Sequence, residues 1–268
     1  MVFKRPVLSL SEESATVALA AIGAAASIAV VAISTANEQL RQPPGRYVRW
    51  RSAFTLAYSI LLVGLVYTTS DCTFQILYSI ERMLETAIVT WQVVIALDVL
   101  SIVRDPFKPD RHCRKLVVGV WLLILVQLLS AVLFAVDHEG AGGCPFPSVD
   151  LLSAYWIPFL YIIHFAAIAL VFAITLLLSL RLRTGLPISS RARHRVTRQL
   201  LAYAIGFSIA DVAAIVVQLQ PTLGPEGLLL ISSRGLWDMM VWCVANLFFQ
   251  LPAKAVSAAM AARRHMGP

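Results

Sequence analysis

Seven long apolar blocks, separated by polar loops, constrain this chain more than any other feature. They cover approximately 15–34, 53–68, 72–104, 116–136, 151–180, 199–219 and 228–251. A hydrocarbon core about 30 Å thick is crossed by about 20 helical residues at a rise of about 1.5 Å each. None of the blocks alternates apolar and polar residues with period two, which argues against a β-barrel. Composition agrees: only 14% of the 268 residues are charged, where a soluble domain carries about 25%. The reading is an all-α integral membrane protein, a seven-transmembrane helix bundle.

The basic residues orient it. The loops after the first, third and fifth blocks and the C-terminal tail hold 4, 5, 6 and 3 of the 22 Lys and Arg. The opposite face holds Lys4, Arg5 and Arg234, and Arg82 lies inside the third block. The positive-inside rule then puts the N-terminus outside and the C-terminus in the cytoplasm. This gives an extracellular segment 1–14, a membrane domain 15–253 and a cytoplasmic tail 254–268. Lys4 and Arg5 before an Ala-rich run also fit a cleaved signal peptide, but cleavage would leave Arg41, Arg46, Arg49 and Arg51 on the wrong side. The net charge of +7 sits in topology-setting loops, so nucleic acid is not an expected partner.

The third block, CTFQILYSIERMLETAIVTWQVVIALDVLSIVR, carries Glu81, Arg82 and Glu85 near its middle. Each such charge costs about 2.5–3.5 kcal/mol on insertion scales, so it faces protein or a watery cavity. These three groups lie roughly 14–20 Å below the outer face at about 1.5 Å per residue. Gln127, His164, Asp211 and Asp238 fall at a similar depth in four other blocks. Together with Tyr78 they are expected to form the floor of an outward-opening pocket for a small molecule. The competing expectation is a structural network in which Arg82 bonds Glu85 one turn below and the aspartates pair with neighbours. Tyr155, Trp156, Tyr161 and Trp237 form an aromatic rim, a pattern that interfacial anchoring also produces. Cys72 and Cys144 both fall on the oxidising outer face and are expected to form a disulfide that tethers the second outer loop, with two free thiols as the alternative.

On the cytoplasmic side, Asp98, Arg104, Arg191, Arg193 and Arg195 make a candidate docking surface for a cytoplasmic partner, and the loop arginines also suit anionic lipid. No H-E-x-x-H, P-loop or G-x-S-x-G is present. No catalytic residue, metal or cofactor is therefore expected. Retinal would need a lysine midway along the last span, and Lys254 lies beyond Pro252.

This layout resembles a G-protein-coupled receptor, and the nearest subgroup is the cyclic-AMP-receptor-like family. The residues carrying the resemblance are TAIVTWQVVIALDVLSIVRDPFKP, YWIPFLYII, RHRVTRQLLAYAIGF and Trp121. The chain departs from the rhodopsin-like class, with Ala96-Leu97-Asp98-Val99 where an acidic-Arg-aromatic triplet belongs and no N-P-x-x-Y after Asn246. The resemblance implies a multi-pass plasma-membrane receptor for an extracellular small molecule that signals through a heterotrimeric G protein. The alternative is a transporter or proton-coupled channel that uses Glu81, Glu85, Asp211 and Asp238 as a relay.

Overall fold

Ser9 opens the first helix. Its hydroxyl accepts from the Glu12 N–H at 3.4 Å, and its own N–H donates to Glu12 Oε2 at 2.7 Å. This reciprocal capping box satisfies two backbone donors that a helix start otherwise leaves bare. The helix, α1, runs Leu10–Ala36. In the computed structural model the described residues are 9–37, 45–104, 113–137 and 224–248, with helical positions inside 162–177 and 202–216. The further elements are α2 (Gly45–Tyr67), α3 (Asp71–Arg104), α4 (Cys113–Asp137), α5 (Gly224–Ser232) and α6 (Arg234–Cys243). A π-helical turn, Val244–Phe248, follows α6 directly. Every regular element among the described residues is helical.

Two helices, Leu10–Ala36 and Arg46–Tyr67, are long and apolar enough to cross a membrane. The third, α3, is longer at 34 residues but carries the three charges at its centre. Apolar side chains cover the outside as well as the core, while charges lie inside, unlike a water-soluble fold. Leu122, Leu125, Val126, Leu129 and Leu133 on α4 are exposed, whereas Arg51, Glu85 and Asp211 are almost fully enclosed.

Named contacts give the helix directions. Trp50 of α2 stacks on Trp91 of α3 with ring centroids 6.1 Å apart, while Gly64 lies beside Leu77; α2 and α3 are antiparallel. Asn246 bonds Tyr203, Trp237 bonds the Gly206 carbonyl, and Arg234 bonds Asp211, so the 202–213 stretch runs antiparallel to α6. Arg234 meets Glu85, and further along both chains Trp242 shares a core with Trp91, which makes α3 and α6 parallel. That core joins Tyr47, Trp91, Val94, Tyr203, Phe207 and Trp242.

Three boundaries differ from the sequence reading. The first helix begins at Leu10, capped by Ser9, not near Ala15. The second helix begins at Gly45, immediately after Pro43-Pro44, not near Ala53. Proline is tolerated at a helix start because its missing N–H has no intrahelical acceptor there, and the basic stretch that follows is helical. The seventh block is divided at Ser233, whose N–H is shared between the Leu229 and Leu230 carbonyls at 3.1 and 3.3 Å. Its hydroxyl donates to Leu230 O at 2.7 Å.

Helices α1 and α6 approach to backbone contact. A Cβ added at Gly235 would lie 2.7 Å from Gly23 C and Cα and would also strike its carbonyl oxygen. Glycine lets the two backbones meet, as in small-residue helix crossings. Gly235→Ala is expected to destabilise the fold by about 1–3 kcal/mol through overpacking against backbone. Gly64→Ala, whose new Cβ would meet only Leu77 Cδ1 at 3.7 Å, should be neutral or mildly stabilising. Thermal unfolding of the two purified variants checks the contrast.

Candidate functional site

Seven ionisable side chains form one continuous chain, acid alternating with base, through the interior. It begins at Glu81, whose Oε2 lies 3.0 Å from Arg82 Nε. Arg82 Nη1 donates to Glu85 Oε2 at 2.8 Å, one turn below on the same helix. Glu85 Oε1 is 3.7 Å from Nη1 of Arg234 on α6. Arg234 Nη2 donates to Asp211 Oδ1. Arg51 Nη2 donates to both Asp211 Oδ1 and Asp238 Oδ1, at 3.3 and 3.2 Å. The series Glu81, Arg82, Glu85, Arg234, Asp211, Arg51, Asp238 thus links α3, α6, the 205–213 stretch and α2. Opposite charges in sequence are what a low-dielectric interior requires, since an unpaired ion there is strongly unfavourable.

Neutral groups complete it. The Thr55 hydroxyl donates to Asp238 Oδ2 at 2.8 Å, with the Arg51 carbonyl a longer alternative at 3.1 Å. Arg51 Nη1 donates to the Ile88 carbonyl at 3.0 Å. Gln92 sits between Asp211 and Ser208; its amide donates to Asp211 Oδ2 while its oxygen accepts from Ser208 N at 3.0 Å. Three rings lie against the guanidiniums: Tyr78 4.9 Å from Arg82, Phe207 4.2 Å from Arg51 and Tyr58 5.8 Å from Arg234. Cation–π contacts of this kind contribute roughly 0.5–2 kcal/mol where water is excluded.

Glu81, Arg82, Glu85, Asp211 and Asp238, expected at one level, are therefore brought together, and Tyr78 joins them through its ring. The paired arrangement is closer to the expected network than to an open pocket floor, because every charged member is enclosed. Gln127 is buried on α4, and its side-chain amide makes no hydrogen bond among the described residues. His164 lies outside the described residues, as do Tyr155, Trp156, Tyr161, Arg191, Arg193 and Arg195. Asp98 and Arg104 fall on the last turns of α3, with their side chains outside the described set. Trp237 is not a free rim residue: its indole N–H donates to Gly206 O at 2.8 Å. Cys72 is disulfide-bonded, and Cys144, its expected partner, lies outside the described residues. Cys243 is a free thiol.

Two arginines were misplaced by the sequence reading. Arg51, counted among cytoplasmic loop charges, is 0% exposed and at the centre of the site; Arg234, counted on the outer face, is 4% exposed and holds Glu85 to Asp211. The signal for both was charge balance. Four carboxylates set against Arg82 alone left acids without counter-ions, and Arg234 already stood inside the seventh block. Removing Arg51 from the loop after the first block leaves three basic residues there, so the charge asymmetry keeps its sign.

Breaking a buried pair by deleting one partner costs about 3–5 kcal/mol, whereas a surface charge changes stability by about 0.5 kcal/mol or less. Arg51→Met should therefore lower the thermal midpoint steeply, and Arg49→Met, two residues away, should leave it nearly unchanged. Equal effects would return Arg51 to the loop role.

No protein-family model and no curated protein matches this chain, so the functional reading rests on the geometry of the ionic chain.

Proposed function

We propose that the chain is a seven-helix plasma-membrane receptor, N-terminus outside, which binds an extracellular small molecule and signals to a heterotrimeric G protein. The observation that carries this reading is the sharing of partners along the ionic chain. Glu85 serves Arg82 and Arg234, Asp211 serves Arg234 and Arg51, and Arg51 serves Asp211 and Asp238. A group with two partners can strengthen one contact as it loosens the other, so the chain can hold two arrangements of similar energy. Switching elements in known conformational transitions are bistable in this way.

Three further observations support the membrane and bundle parts of the reading. The exterior of α4 is apolar while the charges are interior, the pattern expected where the solvent is hydrocarbon. Helices α3 and α6 run parallel and α2 and the 202–213 stretch run opposite to them, as the odd and even spans of an up-and-down bundle must. The disulfide at Cys72, which we assign to Cys144, fits an extracellular end for α3. Ligand engaging Tyr78, Glu81 or Arg82 in the outer half would redistribute pairing toward Arg51, about 10 Å further down α3 at Ile88. A ligand with higher affinity for one pairing shifts the population toward it. The cytoplasmic ends, where Asp98, Arg104, Arg191, Arg193 and Arg195 fall in this topology, would then form the G-protein surface.

One observation favours the alternative of proton-coupled transport: the ionic chain ends in a carboxylate on both sides, Glu81 and Asp238. That reading expects proton flux in proteoliposomes lacking any G protein.

The receptor reading is tested by affinity capture from membranes that contain heterotrimeric G proteins. Nucleotide depletion should retain a heterotrimer on the protein, and a non-hydrolysable GTP analogue should release it. Glu85→Gln, which loosens both Arg82 and Arg234, should change the retained amount severalfold at matched surface expression. Absence of nucleotide-sensitive capture by either form overturns the proposal.

A further inference from the structure

Glu81 stands at one end of the ionic chain and is the least well served of its acids. Glu85 and Asp211 each meet two guanidiniums, and Asp238 accepts from Thr55 as well as Arg51. Glu81 has one ion partner among the described residues, Arg82, which gives its hydrogen bond to Glu85 instead. The 3.0 Å approach of Glu81 Oε2 to Arg82 Nε lacks hydrogen-bond geometry, so Oε2 accepts no hydrogen bond and Nε donates none. Yet Glu81 is only 4% exposed.

A carboxylate enclosed without hydrogen bonds is costly, and such a group takes up a proton rather than stay charged. The surroundings favour the neutral acid. Glu85 lies four residues on, and like charges at that spacing on a helix repel. The six groups from Arg82 to Asp238 already balance, three guanidiniums against three carboxylates. The other groups facing Glu81 are Tyr78 on its own helix, Tyr58 from α2 and Arg234 from α6, whose own ion contacts are with Glu85 and Asp211. Tyr58 is 1% exposed, and its hydroxyl, set beside the Glu81 carboxyl, has no hydrogen-bond partner. A carboxylic acid donates and a phenol oxygen accepts, so one added proton lets the two groups satisfy each other. An ionised Glu81 could accept from the phenol too, but it would set a second negative charge against Arg82.

We infer that Glu81 is a proton-binding site: its carboxyl is held neutral beside the Tyr58 hydroxyl, and loss of the proton charges one end of the ionic chain. Release sends the proton to water and leaves the negative charge on Glu81, which then competes with Glu85 for Arg82. Glu85 is freed toward Arg234, so protonation of Glu81 adjusts the link between α3 and α6. A single resident proton at the end of the chain is not a relay across it. The site stands whether or not the chain couples to a G protein.

The test is infrared spectroscopy of the full chain in lipid nanodiscs, with carbon-13 in the glutamate carboxyl groups. Exposed glutamates, which titrate at about 4.3, are ionised at neutral pH. A protonated glutamic acid then gives an isolated C=O band, which the label separates from aspartic acid. One such band is expected in the wild-type chain, converting to carboxylate absorption as the pH is raised. Glu81→Gln should remove it, and Tyr58→Phe should move it to higher wavenumber as the hydrogen bond is lost. Because an amide reproduces the shape of the neutral acid, Glu81→Gln should unfold close to the wild-type temperature at neutral pH. Glu85→Gln should unfold well below it. No labelled band in the wild-type chain, a band that survives in Glu81→Gln, a band unmoved by Tyr58→Phe, or an equal loss of thermal stability in the two glutamine variants would each overturn the site.

Discussion

Placing four carboxylates and three guanidiniums in an interior that excludes water is the constraint on which the rest of this fold depends. Each of these ions is tolerable only beside an opposite charge, and no single helix supplies all the partners. Only the stretch Glu81–Arg82–Glu85 is local, a consequence of helical i, i+3 spacing. Every later link needs a different element at a defined height: Arg234 from α6, Asp211 from the 205–213 stretch, Arg51 from α2. The ions therefore specify which helices are neighbours, in which direction and at which register. An apolar interface of Leu and Val would specify these far less sharply.

The surrounding packing serves that arrangement. Gly23 and Gly235 let α1 approach α6 to backbone contact, next to Arg234 in the sequence. On the Arg51 side of the ionic chain, Tyr47 and Trp50 both stack on Trp91, and Phe207 covers the Arg51 guanidinium. Water is thereby excluded from the pairs, which strengthens each of them and makes each missing partner more costly. Hydroxyls are absorbed locally: Ser59, Ser79, Thr86 and Thr90 each donate to the carbonyl four residues earlier.

Much of this was legible in the chain, and the exceptions have physical reasons. The helices appeared as apolar blocks, and α3 was bounded within a residue because its ends carry the strong signals Asp71 and Arg104-Asp105-Pro106. The start of α1 was not anticipated, because the first block was taken from its apolar run near Ala15; the capping box Ser9-x-x-Glu12 marks it five residues earlier. Glu81, Arg82, Glu85, Asp211 and Asp238 were visible because a charge inside an apolar block is conspicuous. Arg51 was not, because it stands at the edge of its block, where an arginine in a basic loop looks the same as one reaching inward. Pro43-Pro44-Gly45 forbids continuation of a preceding helix, but it equally suits the start of the next one, which is described from Gly45. The Arg82–Glu85 pair was legible from its i, i+3 spacing, but the pairing between helices was not, since which cation meets which carboxylate depends on the relative heights of helices far apart in sequence.

The claim that the helices are held in register by one alternating ionic chain is tested most directly at its middle link, by a double-mutant cycle on Arg234→Gln and Asp211→Asn. Unfolding free energies of the wild-type chain, both single variants and the double variant would be measured in one micelle composition. The account predicts a coupling energy of about 1–3 kcal/mol, the range for residues in direct contact within a shared network. Additivity within about 0.5 kcal/mol would show that the two groups do not depend on each other, and it would contradict the ionic chain as the organising element of the fold.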